Sequence, residues 1–169
     1  MRMTDFFFDR NAIQDRLSKA NKKALSKAGA FIQRRARSSL RRRRTSSMPG
    51  QPPSVHSSHP AATLKNILFV YEPHRETLVV GPVGLSQKSR LLGPELGGAT
   101  VPQVHEFGAT VKLREARVGK GWRSGARRVR PGQPVRVRSV AYAERPFMGP
   151  ALDAEREHIP DAWTGSLGG

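Results

Sequence analysis

Small and aliphatic residues recur at intervals of three and four between positions 9 and 38, a spacing typical of an amphipathic helix. The positions on the opposite side of such a helix are cationic. At 1.5 Å per residue, about 30 residues would form a rod on the order of 45 Å long. The pattern therefore predicts one long N-terminal helix. Its apolar stripe consists of Ile13, Leu17, Ala20, Ala24, Ala28 and Phe31, and its basic face of Arg16, Lys19, Lys23, Lys27 and Arg34.

Residues 41–62 are rich in Ser, Pro and Gly and cannot continue this helix, because proline lacks an amide hydrogen and fixes φ. We expect an arm of about 20 residues here, and loops of that length are uncommon in a compact domain unless a neighbour orders them. Two hypotheses follow. The arm rests on another subunit, or it is a disordered linker in the isolated chain.

Two stretches rich in β-branched and aromatic residues, 64–72 and 76–82, are separated by a turn sequence and predict an antiparallel hairpin. A third strand is expected over 104–119, where apolar side chains alternate and would occupy one face of a half-buried strand. The alternating residues are Phe107, Ala109, Val111 and Leu113.

A fourth strand is expected over 133–143, where valines alternate with Arg136 and Arg138 and give the strand a cationic face. The segment between these two strands, 118–132, is glycine-rich and basic, and predicts a projecting hairpin tip. The strands together predict an antiparallel sheet over 64–141.

A short helix is expected at 148–159, because proline is tolerated in a first helical turn and Pro160 would end the helix. At 169 residues the chain fits a single domain, 1–169. The predicted class is α+β, with a long N-terminal helix, an antiparallel sheet with hairpins and a short C-terminal helix.

Charge is divided unevenly along the chain, whose net charge is +17. Residues 1–44 hold 14 Lys or Arg against 3 acids, and 112–138 hold 10 against 1, whereas 45–111 are balanced at 4 against 4. Residues 139–169 are acidic, with 2 against 5. Two basic blocks favour a polyanion such as DNA, bound through its phosphates without a sequence code, although basic charge can also serve solubility alone. The candidate nucleic-acid contacts are Arg41, Arg42, Arg43, Arg44, Lys120, Arg123, Arg127, Arg128 and Arg130.

Trp122 lies among the cations of the tip. It could stack on a base or anchor a protein contact, and a tip that simply stays solvated is the third possibility. No zinc-finger, basic-zipper or RNP-like motif accompanies it, so sequence-specific reading of bases is not expected.

Catalytic chemistry is not expected either. The chain contains no Cys, which excludes disulfides, thiolate nucleophiles and cysteine-bound zinc. His56 and His59, with His105 and Glu106, could be considered as metal ligands, but the first two lie in a Ser/Pro-rich loop without regular spacing. We therefore predict a protein that is not an enzyme, with no catalytic, cofactor-binding or metal-binding residues. Without an apolar run of about 18 residues or a signal-like N-terminus, we also expect a soluble, intracellular chain.

Four segments occur in an order that resembles a known family. They are the long N-terminal helix, the strand end at 78–82, the stretch 104–110 and the turn at 145–152, and the Pro-rich stretch 48–53 adds a further point of likeness. Together they resemble the tail-completion or neck (head-tail joining) proteins of tailed bacteriophages, the gene-product-ten-like family of lambda-like phages. The residues that carry the resemblance are Glu106, Phe107, Gly108, Arg145, Pro146, Phe147, Pro150, Ala151 and Leu152.

The resemblance implies a structural virion protein that forms a homo-oligomeric ring, sixfold or twelvefold, between the portal side of the head and the tail. Its partners would be adjacent neck proteins such as a connector or stopper and a tail terminator, together with the viral double-stranded DNA, and no membrane. It would be made in the host cytoplasm and located in the virion neck. The Arg-Pro-Phe turn would then be a plug that docks on the next subunit. The alternative is a cellular nucleic-acid-binding protein of ribosomal or chromatin type, which the high positive charge alone also favours.

Overall fold

The structure, a computed structural model, describes residues 9–55, 64–84, 100–124 and 132–164. The predicted α+β class is confirmed, with a long N-terminal helix, antiparallel hairpins and a short C-terminal helix. The elements are α1 (Arg10–Ser39), β1 (Ile67–Glu72), β2 (Thr77–Pro82), α2 (Val101–Phe107), β3 (Ala109–Val118), β4 (Gly121–Ser124), β5 (Val135–Tyr142) and α3 (Met148–Glu155), followed by 3₁₀ turns at Arg156–His158 and Pro160–Ala162.

Helix α1 begins at a side-chain cap, because the Asp9 carboxylate accepts a hydrogen bond from the amide of Ala12 (3.0 Å). Its buried stripe is made almost entirely of small residues, which lets other elements approach the helix axis closely. The predicted apolar stripe is correct at Ala20, Ala24 and Ala28 and wrong at both ends. Ile13 and Leu17 are exposed, and Ile32 rather than Phe31 enters the core. The buried residues are Ala20, Ala24, Ala28, Gly29, Ile32 and Ala36.

The predicted hairpin forms from β1 and β2, in a register that places Val70 opposite Val79. Its inner face lies on α1 at Gly29, where an added Cβ would come within 2.9 Å of Leu78 and 3.0 Å of the Phe69 ring. The side-chain amide of Gln33 also donates to the carbonyl of Ile67. A side chain at position 29 would require Leu78 and Phe69 to shift, so glycine suits this close approach of helix and hairpin.

The main hydrophobic core lies where α1, β1 and α3 meet, and it is completed by the segment that follows α1. Pro53 and Val55 of the predicted arm are buried, and the amide of Val55 donates to the carbonyl of Arg41 (3.1 Å). Residues 41–55 thus pack on their own chain, whereas 56–62 lie outside the described residues. The buried members of this core are Ile32, Ala36, Leu40, Val55, Ile67, Phe147 and Ala151.

A second sheet of three antiparallel strands has β3 at its centre, between β4 and β5. Within the described residues the strands of 64–141 thus form two sheets, whereas the strand pattern of the sequence predicts one. The predicted tip contains a tight turn after Val118 and the strand β4, which returns along β3. Residues 125–131 of that tip lie outside the described residues.

The expected strand over 104–119 is wrong in its first five residues. Val101–Phe107 form the helix α2, and the strand begins only at Ala109. Gly108 separates the two elements with a φ of +64°, a conformation that favours glycine. Val104 of α2 packs on Val111 of β3, and these two residues form the centre of a second, smaller hydrophobic cluster.

The C-terminal helix α3 is shorter than expected and passes into 3₁₀ turns. Pro160 does not end the helical run, because it occupies the first position of the second turn. The segment returns to α1, where the Trp163 indole donates to Asn21 (2.8 Å) and Arg35 pairs with Glu155 (2.8 Å). The C-terminal segment therefore packs along the N-terminal helix α1.

We expect Phe147→Ala to lower the free energy of unfolding by about 3–5 kcal/mol, because Phe147 is only 1% exposed and its removal leaves a cavity in the main core. Phe107→Ala is the matched control, since Phe107 is 77% exposed and its loss should change stability by no more than about 0.5 kcal/mol. Urea unfolding of both variants measures the difference. Equal destabilisation by the two substitutions would contradict the placement of Phe147 in the core.

Candidate functional site

The residues that carry the resemblance form two signature motifs, Glu-Phe-Gly at 106–108 and the Arg-Pro-Phe turn with the following residues at 145–152. The two motifs meet at the first turn of α3. Both carboxylate oxygens of Glu106 accept hydrogen bonds from the amides of Phe147 (3.0 Å), Met148 (3.1 Å) and Gly149 (2.6 Å). No side chain within α3 caps this end of the helix, so α2 supplies the acceptor. A carboxylate at a helix N-terminus is also favoured by the helix dipole. Glu106 therefore links two elements that are about 40 residues apart in the chain.

Backbone hydrogen bonds tighten the same junction. The amide of Arg145 donates to the carbonyl of His105 (2.6 Å), and the carbonyl of Glu144 accepts from the amide of Gly50 (2.9 Å). The Arg145 side chain reaches the carbonyl of Ser47 (3.1 Å). Three distant segments, around 47–50, 105–108 and 144–149, thus form one junction, and Arg145 contacts both of the others.

Gly108 has a steric role at this junction. A Cβ there would lie 3.0 Å from the carbonyl oxygen of Tyr142 and 3.1 Å from the amide nitrogen of Glu144. Both contacts are to backbone atoms, which cannot move aside as the end of a side chain can. The Glu-Phe-Gly motif therefore combines a helix cap at Glu106 with a close backbone approach at Gly108.

The plug expected at the Arg-Pro-Phe turn is not available to a neighbour, because Phe147 and Ala151 are buried in the core of their own chain. Pro146 is half-buried, whereas Pro150 and Leu152 are exposed on the outer side of α3. The exposed aromatic residue of the two motifs is Phe107, at the end of α2. The motif residues thus divide into a structural group and a small exposed group.

His105 lies at the junction, and its surroundings lower its pKa. Partial burial lowers its pKa below the ordinary value of 6.5, and the neighbouring Arg145 guanidinium lowers the pKa further by repelling the imidazolium. The neutral form of the imidazole is therefore favoured in the folded protein. A metal site shared by His105 and Glu106 does not fit this geometry, because both oxygens of Glu106 are occupied by the α3 amides.

Five cations of α1 form an exposed face on the side away from the buried stripe. Within the described residues, Arg35 is the α1 cation that the structure places in an ion pair, with Glu155 of α3. The face ends next to the basic run 41–44, of which Arg41, Arg42 and Arg44 are exposed and Arg43 donates to Gln51 (3.3 Å). The face itself consists of Arg16, Lys19, Lys23, Lys27 and Arg34, and we call it the basic face of α1.

The cations of the second sheet are arranged differently. Glu115 is buried on β3 and pairs with Arg136 (2.8 Å) and Arg138 (3.5 Å), so one of the two positive charges on the cationic face predicted for β5 is balanced. The Arg136 guanidinium also lies over the Trp122 ring, 4.5 Å from its centroid. One face of Trp122 is therefore covered within its own chain and is not open for stacking on a base.

The remaining predicted contacts at the tip are only partly described. Lys120 is exposed in the turn between β3 and β4. Arg123 lies on β4, opposite Ala116. Arg127, Arg128 and Arg130 lie outside the described residues, as do His56 and His59 of the considered metal site.

Sequence reasoning misses two roles played by carboxylates. The Glu-Phe-Gly motif points to Glu106 but does not show that this residue caps α3. Glu115 appears in the sequence only as the single acidic residue of the basic block 112–138. The usable signal for Glu115 is its position on a strand beside another strand that carries two arginines. No local signal shows the partner of Glu106, because that contact depends on the tertiary fold.

We expect Glu106→Ala to lower the free energy of unfolding by about 1–3 kcal/mol, because three amides of α3 lose a charged acceptor. Glu106→Gln keeps one acceptor oxygen and should cost less. Glu157→Ala, at an exposed carboxylate, is the control and should leave stability within about 0.5 kcal/mol. Urea denaturation measures all three, and a Glu106→Ala protein as stable as the control would refute the capping role.

We expect the free energy of unfolding to fall as the pH drops below about 6.5, because the unfolded chain takes up a proton at His105 before the folded chain does. His105→Asn should flatten this dependence between pH 7 and pH 5, and the same change at the exposed His158 is the control. Denaturant titrations at several pH values test it. An unchanged slope in the His105 variant would contradict the role assigned to burial and Arg145.

No helix among the described residues has the length and apolarity that crossing a membrane requires. In the same part of the chain, no three His, Cys, Asp or Glu side chains gather where they could hold a metal ion. Compared with known proteins, the chain matches no family model, no curated protein and no solved structure.

Proposed function

We propose that this protein is a structural component of a bacteriophage neck, which assembles into a homo-oligomeric ring between head and tail and contacts the passing double-stranded DNA through charge. The ring would bind adjacent neck proteins of the connector, stopper or tail-terminator type. The proposal assigns the protein to the virion and gives it no catalytic role. It rests on the resemblance carried by the two signature motifs and on the surfaces of the described chain.

The observation that carries the proposal is the junction between the motifs. Glu106 of the first motif binds the turn that contains Phe147 of the second, and Gly108 permits the close approach of residues 142–144. The direct contact of the two motifs supports reading them as one structural device, and this favours the family that the sequence resembles.

Surface chemistry supports the two interactions that a neck ring requires. The basic face of α1 presents cations at intervals of three to seven residues, about 4.5–10.5 Å along the helix axis, and it can contact phosphates without reading bases. Exposed apolar residues on β1, β2 and the first turns of α1 are suited to contacts between subunits. A monomeric nucleic-acid-coating protein has no need of the second set.

The assembly half of the proposal is tested by the mass and shape of the purified protein at low and high concentration. Native mass spectrometry and negative-stain microscopy should detect closed rings of one stoichiometry. Monomers that coat RNA and dissociate from it with rising salt would instead favour a cellular nucleic-acid-binding protein of ribosomal or chromatin type, the alternative that the positive charge allows.

We expect Lys23→Gln with Lys27→Gln to weaken DNA binding and to reduce the slope of log K against log salt by about 0.9 for each phosphate that the protein no longer neutralises. Base preference should not change, because the interaction is with phosphates. Lys65→Gln with Arg75→Gln is the matched control, since it removes the same charge from exposed positions in the neutral middle of the chain. Fluorescence anisotropy over a salt series measures both slopes. If the slope falls equally in both doubly substituted proteins, only net charge matters and the assigned face is wrong.

A further inference from the structure

The outer face of the β1–β2 hairpin is apolar although the described chain leaves it exposed. Leu68, Val70 and Val79 lie on this face, and Val70 and Val79 are direct partners in the register. Gly81, opposite Leu68, has open space where a Cβ would lie. Antiparallel sheets usually present polar residues to water on their second face, so this face has the composition of a surface that is covered in an assembly.

A second apolar surface lies at the start of α1. The hairpin turn is fixed to the helix at residues 18–21, where Ser18 and Asn21 donate to the carboxylate of Glu76 (3.3 and 3.2 Å). Residues 10–17 extend beyond that turn by about 12 Å, and all of them are exposed. Ile13 and Leu17, 48% and 47% exposed, lie four residues apart on one side of this overhanging segment. They continue the stripe that farther along α1 packs on the hairpin of the same chain.

We propose that the overhanging segment of α1, residues 10–17, packs on the outer hairpin face of a second copy of this chain. Ile13 and Leu17 of one subunit then cover Val70 and Val79 of the next. Each hairpin lies between two helices, its own α1 on the inner face and the neighbour's α1 on the outer face. The two surfaces are different patches, so the contact is head-to-tail and can repeat around a ring.

The charges beside the two surfaces agree with this occupant. Glu72 is the charged residue among the six on the outer hairpin face, although it also has Arg75 within 4.0 Å. Arg10 is seven residues before Leu17 and therefore lies on the same side of the overhanging segment. Its guanidinium can approach Glu72 at the rim of the apolar contact.

The contact is small, so it can hold an assembly together only when every subunit of a ring makes it. Two turns of helix on three exposed aliphatic residues fall short of the about 1,000 Å² expected of a specific interface between two isolated proteins. In a closed ring each subunit makes the contact twice, and breaking one contact does not release a subunit. The inference thus rests on the ring proposed above, and it names the surfaces through which that ring closes.

Cross-linking tests the contact directly, because the chain contains no cysteine of its own. Ile13→Cys or Leu17→Cys protein is mixed with Val70→Cys or Val79→Cys protein and oxidised at concentrations where rings form. At least one mixed pair should yield a disulfide-linked dimer faster than either protein does alone. Efficient linking of the Val79→Cys protein to itself would mean that identical hairpin faces pair, and it would overturn the proposal.

A matched pair of charge substitutions gives a second test. Val70 and Val137 are both strand valines that are 60% exposed, so a glutamate at either position should leave folding nearly unchanged. Val70→Glu should weaken assembly at least about tenfold, since it places a charge inside the apolar contact, whereas Val137→Glu should not. Sedimentation velocity measures assembly, and circular dichroism verifies that both variants fold.

The outcomes separate this inference from the proposed function. Rings that persist in the Val70→Glu protein, with no mixed cross-link, would overturn the helix-on-hairpin contact and leave the ring in place. A wild-type protein that stays monomeric at every concentration would overturn both. Loss of rings only in the Val70→Glu protein, with mixed cross-links in the cysteine variants, supports both.

Discussion

The interaction between the Glu106 carboxylate and the first turn of α3 holds the described structure together. The amide of Phe147 donates to this carboxylate, while the Phe147 side chain fills the main core between α1, β1 and α3. Glu106 belongs to α2, which packs on the three-stranded sheet through Val104. One carboxylate therefore connects the two hydrophobic clusters. Three amides that would otherwise lack an acceptor make this connection strong for its size, because leaving buried donors unpaired is costly.

The junction also explains why the segment after α1 has a defined path. Residues 47–50 are held by the backbone of Glu144 and by the Arg145 side chain, and Pro53 and Val55 then enter the main core. A proline-rich stretch loses less conformational entropy on ordering than a flexible one does, so few contacts are needed to fix it. Residues 41–55 are therefore held by contacts within the same chain.

The sequence predicts those elements whose signals are local. The long helix and the first hairpin have clear periods, and both are confirmed. Helix α2 is missed because its seven residues are too few for a helical period to be distinguished from alternation. The sequence does contain two signals for this helix. Thr100 is followed three residues later by Gln103, whose side chain accepts a hydrogen bond from the Thr100 amide, and Gly108 with its positive φ stands at the end of the helix. The division into two sheets could not be foreseen, because alternation identifies strands but not their partners.

The basic residues show why net charge overstates the surface available to a polyanion. On β5, Arg136 and Arg138 share the single negative charge of the buried Glu115, and Arg136 also covers one face of Trp122. On α1, by contrast, the buried stripe is built from alanine, whose small side chain keeps the hairpin close to one side of the helix. The cations on the other side are left in solvent. The hairpin ends beside Ser18, so the first turns of α1 extend past it. A single helix thus supplies a core surface, a cationic face and an overhanging apolar end, because each lies on a different part of its circumference or length.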